Sequence, residues 1–515
     1  MPRYDVSRLL AVLLSIVAPA ACGGSKLIPA GAGGGAGNEG GSGGTAGADA
    51  PGGAPGGTAG GVAGAAGGST GIAGGAAGAA GAAGAAVVRR DRPNVIIILA
   101  DDQGWADVGV FGAQGLTTPN VDRLAAEGIR FTSFYSAGPI CSPSRAALMT
   151  GTHPVRVGIT EVLHPGAPIG LNHLEVTIAD LLKSCGYATA AVGKWHLGDD
   201  RTFLPTRQGF DEYFGLPYSN DMHPLPLLEN EEAIEESPDQ SQLTKRYTER
   251  ALDFIKRNKQ GPFFLYLAHT MPHVPLAASD DFIGKSARGI YGDAVMEVDW
   301  SVGQVMATLD QLGIADNTLV LYTSDNGPAL TYGDHAGSAG PLREGKWTTF
   351  EGGMRVPGIM RWPDRIPGNT VSKDVVSGMD LLPTIAAITG TTLPPVTIDG
   401  RDILPLLEGA APAATGPTGT MYYYLGTEQQ AVRDGRWKLH LPHTYRTIIQ
   451  PGVNGNGGQE EERNQPLSLF DVDADPGETT DLLAQYPDVV TQLMAAAAAF
   501  DTDVKTNLRP PGQLP

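Results

Sequence analysis

Four short runs along the chain are almost continuously apolar and rich in β-branched and aromatic residues: 94–100, 187–192, 262–268 and 318–323. Runs of this length without alternation predict strands covered on both faces, as in a largely parallel sheet. Between them the apolar period lengthens. Residues 118–128, and residues 293–312 with Val295, Val298, Val302, Val305, Met306 and Leu309, follow a helical spacing. Strands that alternate with helices predict an α/β domain.

Each apolar run gives way to polar chemistry. Asp101-Asp102-Gln103-Gly104 follows the first, Gly193-Lys194-Trp195-His196 the second, His269-Thr270-Met271-Pro272-His273 the third, and Ser324-Asp325-Asn326-Gly327 the fourth. Open α/β sheets bind ligands at the carboxyl ends of their strands. One such cluster reads as a turn, whereas four predict a shared site. Asp101, Asp102, Asp325 and Asn326 offer only oxygen donors, and no Cys/His set has zinc spacing. Oxygen donors suit hard cations, with calcium expected and magnesium the alternative.

Composition divides the chain. Arg3 and Arg8, an apolar run from Leu9 to Val17, and Ala18-Pro19-Ala20-Ala21 read as an export signal over residues 1–21. Small residues directly before Cys22 resemble a bacterial lipoprotein cleavage site, with Cys22 lipidated. Ordinary signal cleavage nearby is the alternative. Residues 22–88 are mostly Gly and Ala, with a few Ser, Thr and Pro and no strand or helical period, so they cannot bury a core and read as a tether. The expected remainder is a catalytic domain over 89–415 and a C-terminal subdomain over 416–515. A formal charge of −19 argues against nucleic acid as a partner.

Cys141-Ser142-Pro143-Ser144-Arg145-Ala146-Ala147-Leu148-Met149-Thr150-Gly151 resembles the signature of the type I sulfatases, in particular their arylsulfatase A-like branch. Further blocks resemble the family in order: Asp101-Asp102-Gln103-Gly104, Gly193-Lys194-Trp195-His196-Leu197-Gly198, Pro217-Tyr218-Ser219, Pro272-His273, Asp325-Asn326-Gly327-Pro328 and Gly345-Lys346-Trp347-Thr348-Thr349-Phe350-Glu351-Gly352-Gly353. Arg433-Asp434-Gly435-Arg436-Trp437-Lys438-Leu439 and Leu469-Phe470-Asp471 resemble the family's C-terminal domain. Thr152 departs from the pattern, because many members carry Arg or Lys there and that residue assists recognition by the modifying enzyme.

The resemblance implies an alkaline phosphatase-like sandwich: a large central mixed β-sheet flanked by helices, plus a smaller α+β domain with a short antiparallel sheet. It implies that a formylglycine-generating enzyme oxidises Cys141 to formylglycine (3-oxoalanine), whose hydrate attacks sulfur and later expels sulfate by internal elimination. Asp101, Asp102, Cys141, Asp325 and Asn326 would hold the cation. Arg145 and Lys194 would orient the nucleophile, while Lys194 and Lys346 would bind sulfate. His273 would protonate the leaving alcohol, His196 would start the elimination, and Ser219 would complete the hydrogen-bonding shell.

The expected substrate is an aryl or carbohydrate sulfate, met by an exported or membrane-anchored protein. Local cations are required for such an anion, and exposed surface charge is screened over about 8 Å at physiological salt, so they can prevail over the acidic total. Two rivals stay open: a phosphonate or phosphate monoester hydrolase of the same superfamily, and a silent binding protein with Cys141 unmodified. Several residues are ambiguous by themselves. Composition cannot separate His269 from His273, and Trp195 reads as packing. Cys185 reads as core, His223 and His335 are candidates for the entrance, and residues 229–236 read as a solvated acidic loop.

Overall fold

The computed structural model describes residues 92–409 and 419–514. The export signal, Cys22, the 22–88 tether and the boundary expected at 415–416 lie outside those residues. All four apolar runs form strands, with ends within one residue of expectation: Asn94–Ala100, Ala188–Gly193, Phe263–Ala268 and Thr318–Ser324. They are neighbours in an eleven-stranded mixed sheet. Asn94–Ala100 pairs in parallel with Phe263–Ala268 on one side and Thr318–Ser324 on the other, placing Ile97 opposite Tyr266 and Leu321. Ala188–Gly193 continues the parallel set beyond Phe263–Ala268. Antiparallel pairing enters toward the flanks, with Arg355–Arg361 set against both Thr318–Ser324 and Ile129–Tyr135.

Burial explains the missing alternation. Val95, Ile97 and Leu99 pack on one face among Met149, Leu182 and Leu382. Ile96 and Ile98 pack on the other with Phe254, Val298 and Val302 from the helices Leu243–Asn258 and Gly289–Leu312. Both faces are covered, so every side chain of the strand contributes, at about 1.5–3 kcal/mol for each fully buried Ile or Leu.

Residues 229–236 are a correction to the loop expectation. Leu227–Glu229 and Glu232–Glu235 form an antiparallel hairpin at the edge of the sheet. Glu229 and Glu235 pair with Arg250 and Arg246 of the adjoining helix. Acidic side chains are compatible with an edge strand, where they also oppose pairing with other chains.

The C-terminal segment builds a four-stranded antiparallel sheet from Met421–Leu425, Glu428–Asp434, Trp437–His440 and Ser468–Asp471. Its Val432, Leu439 and Leu469 pack on Leu493 and Ala497 of the helix Pro487–Thr506. A separate hairpin, His443–Gln450 with Gln459–Gln465, stands apart from this sheet. Among the described residues no helix is long and apolar enough to cross a membrane.

Candidate functional site

The parallel strands end along one edge, and their loops meet through backbone contacts that leave no space for a side chain. A Cβ on Gly193 would lie 1.8 Å from the Ala268 carbonyl oxygen, and one on Gly327 would lie 1.8 Å from that of Gly352. Only glycine tolerates such an approach. The Lys194 amide donates to Ala268 O at 2.8 Å, the Lys346 amide to Pro328 O at 2.9 Å, and the Trp347 amide to Pro139 O at 3.0 Å. These bonds draw three loops around the start of the helix Cys141–Thr150.

Cys141 is the first residue of that helix, where the positive end of the dipole and free backbone N–H groups favour an anion. Its Sγ accepts from Lys346 Nζ at 3.3 Å and donates to Asp101 Oδ1 at 3.6 Å. Lys346 Nζ also lies 2.7 Å from Asp102 Oδ1. Lys194 Nζ donates to Asp101 Oδ2 at 2.5 Å and to Ser219 Oγ at 3.2 Å. Arg145 donates through Nε to Asp325 Oδ2 at 2.9 Å and through Nη1 to the Lys194 carbonyl at 2.7 Å. Arg145, Lys194 and Asp101 are fully buried, so these pairs carry mutual compensation that the interior demands.

The donor set fits a hard cation. One ligand atom each from Asp101, Asp102, Cys141 and His273 lies within 4.8 Å of the others. Asn326 Nδ2 donates to Asp102 Oδ1 at 2.7 Å, while its Oδ1 is buried without a hydrogen-bond partner among the described residues. A buried, unpaired amide oxygen beside two carboxylates is an oxygen-donor arrangement suited to calcium or magnesium. Asp325 stands outside the four-residue group: its Oδ2 is taken by Arg145 and its Oδ1 accepts from the Asp102 amide at 3.2 Å. His273, expected as an acid, stands inside it.

Electrostatics separate the two histidines. His196 Nε2 lies 3.0 Å from the Leu163 carbonyl, an acceptor, so the proton belongs on Nε2 and Nδ1 keeps its lone pair. Nδ1 has no partner among the described residues. Burial, then Lys194 and Arg145, hold the His196 pKa well below its ordinary value, which favours the neutral ring. His273 has the opposite tautomer, with Nδ1 2.5 Å from the Val274 carbonyl and Nε2 3.5 Å from Asp102 Oδ2. Burial favours a neutral Asp101, but Lys194, His273 and Arg145 hold its pKa below the usual carboxylate value. Burial and the Asp325 carboxylate push the Cys141 thiol upward, which favours the thiol over the thiolate.

A cleft of about 670 Å³ opens onto Cys141, Asp102, His196, His273, Ser219 and Lys346. His164 also lines it, whereas His223 and His335 do not. His269 is buried beside Tyr247, with neither ring nitrogen hydrogen-bonded among the described residues. Trp195 is buried and donates to the Phe203 carbonyl at 2.8 Å, a packing role as expected. Sequence reasoning passed over the outer lining. Trp347, Glu344, Asp221 and the hairpin residues Arg446, Glu460 and Glu462 all reach the cleft. The one available signal was Trp347 beside Lys346, a large apolar residue in a polar loop.

Comparison with known proteins identifies the family. The sulfatase family model matches residues 93–391, and the model of the C-terminal region of aryl-sulfatase matches residues 416–510. N-acetylgalactosamine-6-sulfatase of Canis lupus familiaris is 42% identical over 444 residues, covering 78% of this chain and 84% of that protein. Arylsulfatase A of Homo sapiens is 38% identical over 443 residues, covering 78% and 86%. The solved PsFucS1 sulfatase from Pseudoalteromonas sp. superposes with a TM-score of 0.73 at 28% identity, covering 82% of this chain and 92% of that one. A phosphonate monoester hydrolase of Agrobacterium radiobacter, at 19% identity and a TM-score of 0.57, shares the fold alone. With a sulfatase model over residues 93–391 and relatives near 40% identity across most of its length, the chain belongs to the type I sulfatase family and is a sulfuric ester hydrolase.

Proposed function

We propose that the protein hydrolyses aryl or carbohydrate sulfate monoesters at the cleft over Cys141, with Asp101, Asp102, Asn326, Asp325 and residue 141 holding one calcium ion. The observation that carries this reading is the Cys141 side chain held between Lys346 Nζ and Asp101 Oδ1 at a helix N-terminus. An ammonium donor and a carboxylate acceptor suit hydroxyl groups better than a thiol, which is a weak donor and acceptor. Oxidised to formylglycine by a formylglycine-generating enzyme, residue 141 supplies a hydrated aldehyde as nucleophile, and the cation supplies Lewis-acid polarisation of oxygen.

The remaining chemistry belongs to side chains already in place. Lys346 and Lys194 bind sulfate oxygens, aided by Ser219, and offset charge as it builds in the transition state. Arg145 orients residue 141 and neutralises Asp325. His273 keeps its Nδ1 proton on the Val274 carbonyl, so it acts as the imidazolium, in which Nε2 also carries a proton and delivers it to the departing oxygen. The His196 Nδ1 lone pair accepts a proton as sulfate is expelled.

Two relatives favour sugar and aryl leaving groups, being named for an N-acetylgalactosamine sulfate and for arylsulfate activity. The discriminating assay compares p-nitrophenyl sulfate with phenyl phosphonate esters. Turnover of the sulfate is expected to be far faster, and the reverse ranking would sink the assignment. The protein is further proposed to be exported and anchored through Cys22, on the strength of the signal pattern before it. Labelled lipid should appear on the protein and vanish in Cys22→Ala; label that persists refutes the anchor.

A further inference from the structure

Lys346 is followed by a residue that should be uncomfortable where it is. Trp347 adopts φ of 72°, in the left-handed region that bulky side chains avoid. It is also 48% exposed, so packing does not repay the conformation. The backbone is held there by hydrogen bonds from the Trp347 N–H to Pro139 O at 3.0 Å, directly before the Cys141 helix, and from the Lys346 N–H to Pro328 O at 2.9 Å. The indole lines the same cleft as Cys141, His273 and Lys346. An outlying conformation at a functional cleft, with an exposed aromatic face, points to a contact made only when a ligand is present.

The surrounding charges narrow the ligand. Inside, Lys346 and Lys194 await the sulfate. Outside, the cleft presents Asp221, Glu344, Glu460 and Glu462 against a single guanidinium, Arg446, which itself lies 4.0 Å from Glu460. A second anionic group on the leaving alcohol would meet carboxylates, while hydroxyl groups would find acceptors.

Resting on the sulfatase reading, we infer that Trp347 is the platform on which a ring of the leaving alcohol stacks, and that this ring is uncharged. The substrate class is a monosulfated aromatic or sugar ring with no second anion beside it. Rings packed on an aromatic face gain contact and polarisation energy, and the acidic rim repels polysulfated chains at low salt.

Trp347→Gly separates recognition from packing, because glycine accepts the left-handed conformation without strain. The melting temperature should hold or rise, while KM for p-nitrophenyl sulfate rises about tenfold with kcat within about twofold. Inhibition by inorganic sulfate, which lacks the ring, should stay within about twofold. Trp347→Phe should restore most of the KM. In the wild type a monosulfated hexosamine should exceed its disulfated counterpart about tenfold in kcat/KM at low salt, and Glu460→Gln with Glu462→Gln should narrow that gap. An unchanged KM in Trp347→Gly, or equal turnover of the disulfated sugar, overturns the inference while leaving the sulfatase reading intact. A wild type inert toward p-nitrophenyl sulfate after oxidation of Cys141 overturns both.

Discussion

A proton delivered to a leaving oxygen matters in proportion to that oxygen's basicity, which makes His273 testable apart from its neighbours. His273→Asn should cost about 10²-fold or more in kcat on a sugar sulfate but about tenfold or less on p-nitrophenyl sulfate, whose phenolate leaves readily. Equal losses on both would remove His273 from the acid role. The choice of His273 over His269 was not legible from residue type, since both follow the same strand within five positions. The fold separates them: His273 reaches Asp102, whereas His269 turns into the protein beside Tyr247. The carboxylates were legible because oxygen donors after apolar strands have few other reasons to cluster. Trp347 was not, since neither its exposure nor its backbone conformation is written in local pattern.

At the scale of elements, the loop that carries Lys346 is clamped by the C-terminal sheet. Lys438 Nζ donates to the Thr349 carbonyl at 2.9 Å and pairs with Glu351 and Glu478, each at 3.0 Å, all buried. Glu478 also accepts from the Glu351 amide at 2.8 Å. Removing the cation would take away the ammonium that Glu351 and Glu478 share, leaving Glu351 to Arg355, Arg433 and Tyr135 and Glu478 to His440 and the Glu351 amide. Lys438→Met is therefore expected to lower unfolding free energy by about 3–5 kcal/mol, read from urea denaturation. A change below about 1 kcal/mol would mean the cluster is not a clamp. The two kinds of element differ in how well the sequence announced them. The buried parallel strands appeared within one residue because unbroken apolar runs have few alternatives. The Gln459–Gln465 strand, made of Gln-Glu-Glu-Glu-Arg-Asn-Gln, carries no apolar signal, so its hairpin along the cleft was invisible.

Over the whole molecule, acid should be more damaging than the enzyme's acidic composition suggests. Burial holds His153 and His440 at about 4 and His269 at about 3, from an ordinary 6.5. Folding thus favours their neutral forms. The stability they contribute is complete above about pH 6.5 and is lost as pH falls through about 4 to 3, because the unfolded chain takes up protons first. Each tenfold loss of proton affinity on folding is worth about 1.4 kcal/mol, so the three histidines make the melting temperature fall steadily between about pH 6.5 and 4. His440→Asn should flatten that slope, and an unchanged slope would show that His440 does not contribute. On the proposed reading, catalysis as a whole rests on an oxidation at residue 141 that replaces sulfur with oxygen and removes two hydrogens, in surroundings where burial and Asp325 disfavour a thiolate. The decisive measurement is the mass of the Cys141 tryptic peptide from protein active on p-nitrophenyl sulfate. The peptide should be about 18 Da lighter than the cysteine form, the difference between a thiol side chain and an aldehyde. Full activity from protein whose residue 141 is unmodified cysteine would contradict an oxygen nucleophile at this position.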